Sequence, residues 1–382
     1  MKIVRMGIVG MGVMGTAHAK SILAGAVKGM ELTAVCDTHT PNLAQVEGPR
    51  KFDSVSALIR SGLIDAVVIA TPHYGHTVVG IEALKAGLHV LVEKPISVHK
   101  ADAERLLAAH RNRRQVFAAM FNLRATTRYR RVRQFIEDGT LGSLVRVTWM
   151  ATHWFRTNHY YASGGWRGTW KGEGGGVLLN QCPHQLDLLQ WFCGMPTRLM
   201  AFCKMGAHHP IEVEDEVTAY LEYPNGATGT FVATTGEWPG TDRLVLACDK
   251  AQIEVTGDGR TILRRNRMAT SELCRTSRET MPKPEPEVTV YPDEKEGAEH
   301  VIILANFAEA ILEGAPLIAS AREGLNSLEL SNAMIYSSLT GKPVTFPLNG
   351  AAYARRLNQL IRGSGRGSPK SPGKRVRPAR AK

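Results

Sequence analysis

The chain lacks the marks of a secreted, membrane-spanning or metal-binding protein. Its six cysteines, at 36, 182, 193, 203, 248 and 274, form no Cys-x-x-Cys pair and no metal-ligand spacing. That pattern argues against a disulfide scaffold or a zinc ribbon and points to reduced thiols in the cytoplasm. No run approaches 18 consecutive apolar residues, so no transmembrane helix and no membrane partner are expected. The first strand pattern begins almost at once, leaving no room for a signal peptide. No internal repeat is visible. Acid is missing from one stretch in particular: residues 363–382 hold seven Lys or Arg and no Asp or Glu, leaving +5 of the net +12 for the rest of the chain. Rich in Gly, Pro and Ser, this stretch cannot bury enough apolar surface to offset its ordering entropy, and a disordered basic tail is expected over 361–382. No aromatic or folded nucleic-acid motif accompanies the charge, so the tail is read as solvated and nucleic acid is not expected as a partner.

What is present begins at residue 4. The text VRMGIVGMGVMG has the form of a buried strand, a glycine-rich turn and a helix start. Gly10, Gly12 and Gly15 fit G-x-G-x-x-G, with Val13 and Met14 between them. The first glycine permits the tight turn, the second lets a pyrophosphate approach bare backbone, and the third lets helix and strand pack closely. The helix start would aim free N–H groups and the positive end of its dipole at the phosphates. A second strand, residues 31–36 (ELTAVC), ends on Asp37, 22 residues beyond Gly15. A carboxylate there accepts hydrogen bonds from ribose hydroxyls and repels a 2′-phosphate. No arginine follows in Thr38, His39 and Thr40, so NAD is favoured over NADP.

At 382 residues the chain can hold two cores. Strand and helix signals alternate over the first third, with strands at 64–70 (IDAVVIA), 89–92 (HVLV) and 116–120 and helices at 54–61, 76–86 and 101–112. A basic helix at 126–138 marks a change. Beyond it, apolar–polar alternation recurs at 144–152, 217–223, 228–234, 244–247 and 252–256, with Asn225-Gly226 and Asp258-Gly259 as hairpin signals. Helices at 183–192, 298–313 and 321–339 would complete this second unit. Residues 277–293, with prolines at 282, 284, 286 and 292, read as an exposed loop.

The glycine turn, Thr71-Pro72, the text GIEALKAGLHVLVEKPIS and the later GGGVLLNQCPHQLD resemble the glucose–fructose oxidoreductase / inositol dehydrogenase (Gfo/Idh/MocA) family over residues 1 to about 350. The resemblance implies an α/β protein: an N-terminal Rossmann dinucleotide-binding domain over 1–122, and over 123–360 a C-terminal α+β domain with a large open, mostly antiparallel sheet. It also implies a homodimer or homotetramer formed through that sheet. Cofactor contacts would come from the glycine turn, Asp37, Thr71, Pro72, His76, Glu93 and Lys94. Lys94 would lie at the carboxyl end of a parallel strand, where ligands bind in open α/β folds, aimed by Pro95 and able to stabilise alkoxide charge. Pro183 suits a first helical turn, and His184 beside it would stay neutral near the positive end of the dipole, free to accept a hydroxyl proton. Many relatives have Asp where Asn180 stands and Gly where Cys182 stands, which leaves Lys94 and His184 as the proton-handling pair. Asn180 and Asp187 are placed at the substrate, Asp187 either orienting the histidine or supporting its helix.

Residues 153–172 hold three Trp, two Tyr and one Phe. Trp154, Tyr160 and Trp166 could face the apolar side of a pyranose, and Arg167 could meet its polar or anionic groups. The expected activity is NAD-dependent hydride transfer at a ring hydroxyl of a sugar, glycoside or inositol, with no metal. Two alternatives fit the same residues: a glycosidase acting by transient oxidation with bound NAD, and a non-enzymatic NAD- or sugar-responsive binding protein.

Overall fold

The computed structural model describes residues 3–294 and 297–364. The apolar runs of the first third form strands β1 (Val4–Val9), β2 (Met30–Cys36), β3 (Arg50–Phe52), β4 (Ala66–Ile69), β5 (His89–Val92) and β6 (Phe117–Ala119). They pair in parallel in the order β3-β2-β1-β4-β5-β6. Helices α1 (Val13–Leu23), α2 (Val55–Ile59), α3 (His73–Lys85) and α4 (Lys100–Ala109) make the connections. Both faces are covered, which is why β4 is apolar throughout instead of alternating. The strand order reverses between β1 and β4, and the crevice outside their carboxyl ends is the ligand position of such sheets.

The chain then passes through α5 (Thr127–Glu137), β7 (Leu144–Ala151), α6 (Asn158–Ala162), α7 (Val177–Asn180) and α8 (Pro183–Cys193). Strands β8 (Arg198–Met205), β9 (Glu214–Glu222), β10 (Thr228–Thr234), β11 (Asp242–Cys248), β12 (Ala251–Thr256) and β13 (Thr261–Arg265) follow. After them come α9 (Thr270–Thr276), β14 (Glu287–Tyr291), α10 (Glu299–Glu313), α11 (Ala321–Thr340), β15 (Val344–Thr345) and α12 (Gly350–Gly363). The second sheet runs β14-β13-β12-β11-β7-β10-β9-β8-β15. Only β7 and β10 pair in parallel; the other neighbours are antiparallel. Both hairpin signals hold, joining β9 to β10 and β12 to β13. Their glycines, Gly226 and Gly259, sit at φ +84° and +86°. One face of the sheet packs Trp149, Leu221 and Phe231 against Leu186 of α8 and Met334 of α11.

Three expectations change. The proline-rich segment is not all loop, because β14 forms after Pro286 and pairs with β13 at the sheet edge, where adjacent prolines are tolerated. The helix assigned to the second unit, α10, instead covers the first sheet: Ile303, Leu304, Phe307 and Ala308 share a core with Val4, Ile8, Val35 and Val68. Amphipathic spacing shows that a helix buries one face but not which sheet receives it. Residues 361–363, placed in the tail by composition, continue α12, and the Ser364 hydroxyl bonds Glu212 at 2.7 Å. The remainder of the expected tail lies outside the described residues.

The two sheets are tied by a buried cation. Arg124, in the turn Asn122–Ala125 after β6, is 1% exposed. Its Nε and Nη2 donate to the two carboxylate oxygens of Asp187 on α8, both at 2.7 Å. Its Nη1 donates to Glu323 on α11 at 2.7 Å and to the Ile318 carbonyl at 3.2 Å. Removing one partner of such a pair strands a charge in the interior. Arg124→Met should therefore lower unfolding free energy by about 3–5 kcal/mol in urea titration, and Arg124→Met/Asp187→Leu by distinctly less. Equal losses would show that the ion pair is not what holds this junction.

Candidate active site

The turn after β1 is built as a cradle. Gly10 has φ +94°, and a Cβ there would meet the Ala70 carbonyl oxygen at 2.6 Å, so no other residue fits without strain. At Gly12 a Cβ would meet nothing within 4 Å, so the backbone faces open space on the cleft side. Gly15 lies directly against the Gly10 carbonyl. Gly12 is the N-cap of α1 and supplies no side-chain cap, so the first N–H groups of the helix are free for an anion. A cavity of about 500 Å³ opens here, walled by Gly12, Val13, Met14, Asp37, Thr71 and Pro72 on one side. The buried Thr71 Oγ1 in this wall has no hydrogen-bond partner. Open backbone, an uncapped helix start and an orphaned hydroxyl fit the pyrophosphate of a dinucleotide.

Asp37 closes one end of the cradle. Its Oδ2 accepts from Met11 N at 2.7 Å and Asn42 Nδ2 at 3.0 Å, and its Oδ1 accepts from His39 N at 2.8 Å. The same carboxylate that lines the cleft therefore also holds the glycine turn.

At the other end stand Glu93 and Lys94, just beyond β5. Lys94 Nζ donates to the Asn180 carbonyl at 2.9 Å. Burial lowers the Lys94 pKa from its ordinary value, and the carboxylates of Glu93 and Glu173 partly offset this. Burial would raise Glu93, but the His18 hydrogen bond at 2.7 Å and the charges of His18 and Lys94 hold it at about 2. Glu93 is thus the anionic half of a buried pair with α1 as well as part of the cavity wall. His184, on the first turn of α8, does not line the cavity itself. It lies near enough to Lys94 for that charge, added to the larger effect of burial, to depress its pKa to about 3. Burial, more than the helix dipole invoked from sequence, keeps it neutral. Its Nδ1 has no partner, and its ring stands edge-on to Phe121.

Of the residues expected at the substrate, Trp166, Arg167 and Asn180 face the cavity. Tyr160 stands behind Arg167, its hydroxyl accepting from Arg167 Nη1 at 2.6 Å, with the guanidinium over both the Tyr160 and Trp166 rings. Trp154 packs against the second-sheet core, 4.5 Å from the His153 ring, and is not among the residues that wall this cavity. Of the two readings of Asp187, the geometry favours support of its helix over orientation of the histidine. Both its oxygens are taken by Arg124, and it makes no bond to His184. His76 borders the cavity, but its two ring nitrogens face the Pro95 and Thr71 carbonyls at 2.7 and 2.8 Å, so it clamps the two cleft loops together. Sequence reading missed His73, whose ring meets Trp166 in the wall, and Glu173, a buried carboxylate that accepts from the Asn180 side chain. Glu173 stands directly before the glycine triplet of a motif already singled out, and that adjacency was the available signal.

A family model described as "Oxidoreductase family, NAD-binding Rossmann fold" matches residues 4–121, and one described as "GFO/IDH/MocA C-terminal domain" matches 129–254. The chain belongs to the Gfo/Idh/MocA oxidoreductases. Levoglucosan dehydrogenase of Pseudarthrobacter phenanthrenivorans is 26% identical over 269 residues, 61% of this chain and 68% of that protein. Inositol 2-dehydrogenase of Leifsonia xyli subsp. xyli is 25% identical, covering 58% of this chain and 63% of its own length. Among solved structures, the WlbA dehydrogenase of Bordetella pertussis in complex with NADH and UDP-GlcNAcA is 27% identical, with a TM-score of 0.76 over 91% of this chain and 100% of that one.

In this oxidoreductase Asp37→Ala should weaken NAD binding and cut the NAD-over-NADP ratio of kcat/KM by about tenfold or more, the scale of one lost charge-assisted hydrogen bond. An unchanged ratio would remove Asp37 from the ribose site.

Proposed function

We propose that the protein oxidises, and in reverse reduces, a ring hydroxyl carbon of a sugar, glycoside or cyclitol with NAD. The observation that carries the reading is the Lys94 ammonium, held in the cleft wall beyond β5 with a neutral histidine within its field. NAD, when bound, supplies the acceptor for the hydride that leaves the carbinol carbon. The chain's own groups handle the oxygen. Lys94 donates a hydrogen bond to it and stabilises the negative charge that grows as the C–H bond breaks. His184 takes the hydroxyl proton, so the products are a ketone, the reduced cofactor and a proton held on imidazole. A base of such low pKa takes that proton only as the carbonyl forms. Trp166 and Arg167 offer an aromatic face and a cation to the rest of the ring.

Two finer readings accompany this one. The outer face of the nine-stranded sheet carries Phe202, 66% exposed, with Tyr220 and Met150, and self-association through it would cover them. The six free cysteines support a cytoplasmic setting. Among the described residues no helix is long and apolar enough to cross a membrane.

A screen of sugars and inositols for NADH formation should return a substrate; no turnover of any would sink the proposal. On that substrate His184→Ala and Lys94→Ala should each lower kcat by roughly 10²–10⁴-fold with little effect on NAD affinity. The double variant should lose less than the product of the two, because one proton-transfer unit is being removed. Near-wild-type kcat in His184→Ala would end its assignment as base. The pH profile is a separate check. With His184 at about 3, kcat/KM should show no inflection near 6.5. It should fall on the alkaline side, as Lys94 loses its proton below its ordinary 10.5.

A further inference from the structure

We infer that Glu173 is a positioning residue of the cleft, whose carboxylate locks the Asn180 amide so that its carbonyl oxygen faces the substrate. The inference rests on the function proposed above, and it deepens the account of that site. Glu173 is 1% exposed and has no ion-pair partner within 4 Å among the described residues. Its Oε2 accepts from Gly168 N at 2.7 Å, and its Oε1 accepts from Asn180 Nδ2. A carboxylate offers only acceptors, so the NH₂ side of Asn180 must point at Glu173 and the amide oxygen must point away. Asn180 lines the cavity, and that oxygen has no partner among the described residues. It is left as an acceptor for a substrate hydroxyl, next to the Lys94 ammonium that donates to the backbone carbonyl of the same residue. Burial raises the Glu173 pKa, while its two donors and the nearby cations oppose this. The Glu173 charge in turn favours the protonated form of Lys94.

An unpaired buried carboxylate is costly, and a merely structural role would not require one. To hold the 168–173 turn, only the bond from Gly168 N is needed, and glutamine could accept it through its own oxygen. Its NH₂ would then draw the Asn180 oxygen toward itself, and the flipped amide would turn a donor to the cleft in place of the acceptor. An oxygen fixed toward the cleft at position 180 therefore needs one carboxylate and one amide, but either position can supply either group. When Glu173→Gln is combined with Asn180→Asp, the introduced amide accepts from Gly168 N and donates to the introduced carboxylate. The second oxygen of that carboxylate then faces the cleft.

The test is that exchange in the full chain: Glu173→Gln, Asn180→Asp, and both together. Three quantities are measured: kcat and KM on the sugar or cyclitol found in the screen, melting temperature from about pH 6 to about pH 9, and the Lys94 pKa. The last is read by ¹³C NMR after reductive ¹³C-methylation, with Lys94→Arg assigning the resonance. Glu173→Gln should lower kcat/KM by about tenfold or more and lower the Lys94 pKa. Asn180→Asp sets two carboxylates in contact, forcing one to hold a proton. The raised pKa means that stability is kept at the acid end and lost as pH rises, so its melting temperature should fall toward pH 9 more than that of the wild type. The exchanged pair should return kcat/KM to within about threefold of wild type, a deviation from additivity expected of groups that act together. It should also restore the Lys94 pKa. An exchanged pair no better than Asn180→Asp, or a Lys94 pKa unmoved in Glu173→Gln, would overturn the inference. If the wild type turns over no sugar or cyclitol, the proposed function fails, while the Lys94 resonance and the melting curves still decide the role of Glu173.

Discussion

A guanidinium does not give up its proton, so burying Arg124 obliges the fold to bring carboxylates to it. Asp187 comes from α8 and Glu323 from α11, and both converge on the turn that leaves β6. Glu323 is also the reciprocal partner in the capping box that starts α11 at Ser320, so the same acid begins the helix and pins it. His184 lies three residues before Asp187, less than one turn of the same helix. Fixing Asp187 therefore fixes the imidazole relative to the end of β5, where Lys94 stands. The buried cation thus helps set the relation between the two sheets and, with it, the placement of His184 relative to Lys94.

Around Lys94 the nearby histidines are neutral and the carboxylates are held by donors, and Arg167 is a second cation in the cavity wall. Burial depresses His73 and His184 to about 3, so both rings are neutral at ordinary pH. Glu93 is matched to His18, and Glu173 is matched to neutral donors. The cleft thus sets cationic donors beside a neutral imidazole. It would serve the proposed alcohol oxidation, in which oxygen gains negative charge and sheds a proton in the same event.

Much of this was legible in residue order. The parallel strands were readable because buried β4 and β5 are continuously apolar, and the hairpins because Asn-Gly and Asp-Gly suit turns with positive φ. Gly10, Gly12 and Asp37 were readable as lining of one cleft because each stands at a fixed spacing in the strand–turn–helix text. The failures share a cause: local sequence does not say which face a side chain takes or which group it meets. β8 escaped notice because outward Met200 and Phe202 break its alternation. Trp154 looked like a ligand face because aromatic content does not say which side of a sheet a ring takes. Asp187 looked like a site acid because its partner is 63 residues away, and Glu173 went unread because its meaning depends on the amide that folds onto it.

The return of α10 to the first sheet bears on the order in which the protein can be made. Every strand of the dinucleotide-binding sheet has left the ribosome by residue 119, yet Phe307 and its neighbours, which cover Val4, Ile8 and Val68, emerge almost two hundred residues later. At about 5–20 residues per second, that apolar face stays open for roughly ten seconds or more of synthesis. During that interval it is a surface for chaperones or for other nascent chains to cover. The first third of the chain is thus first in sequence but not first to be closed.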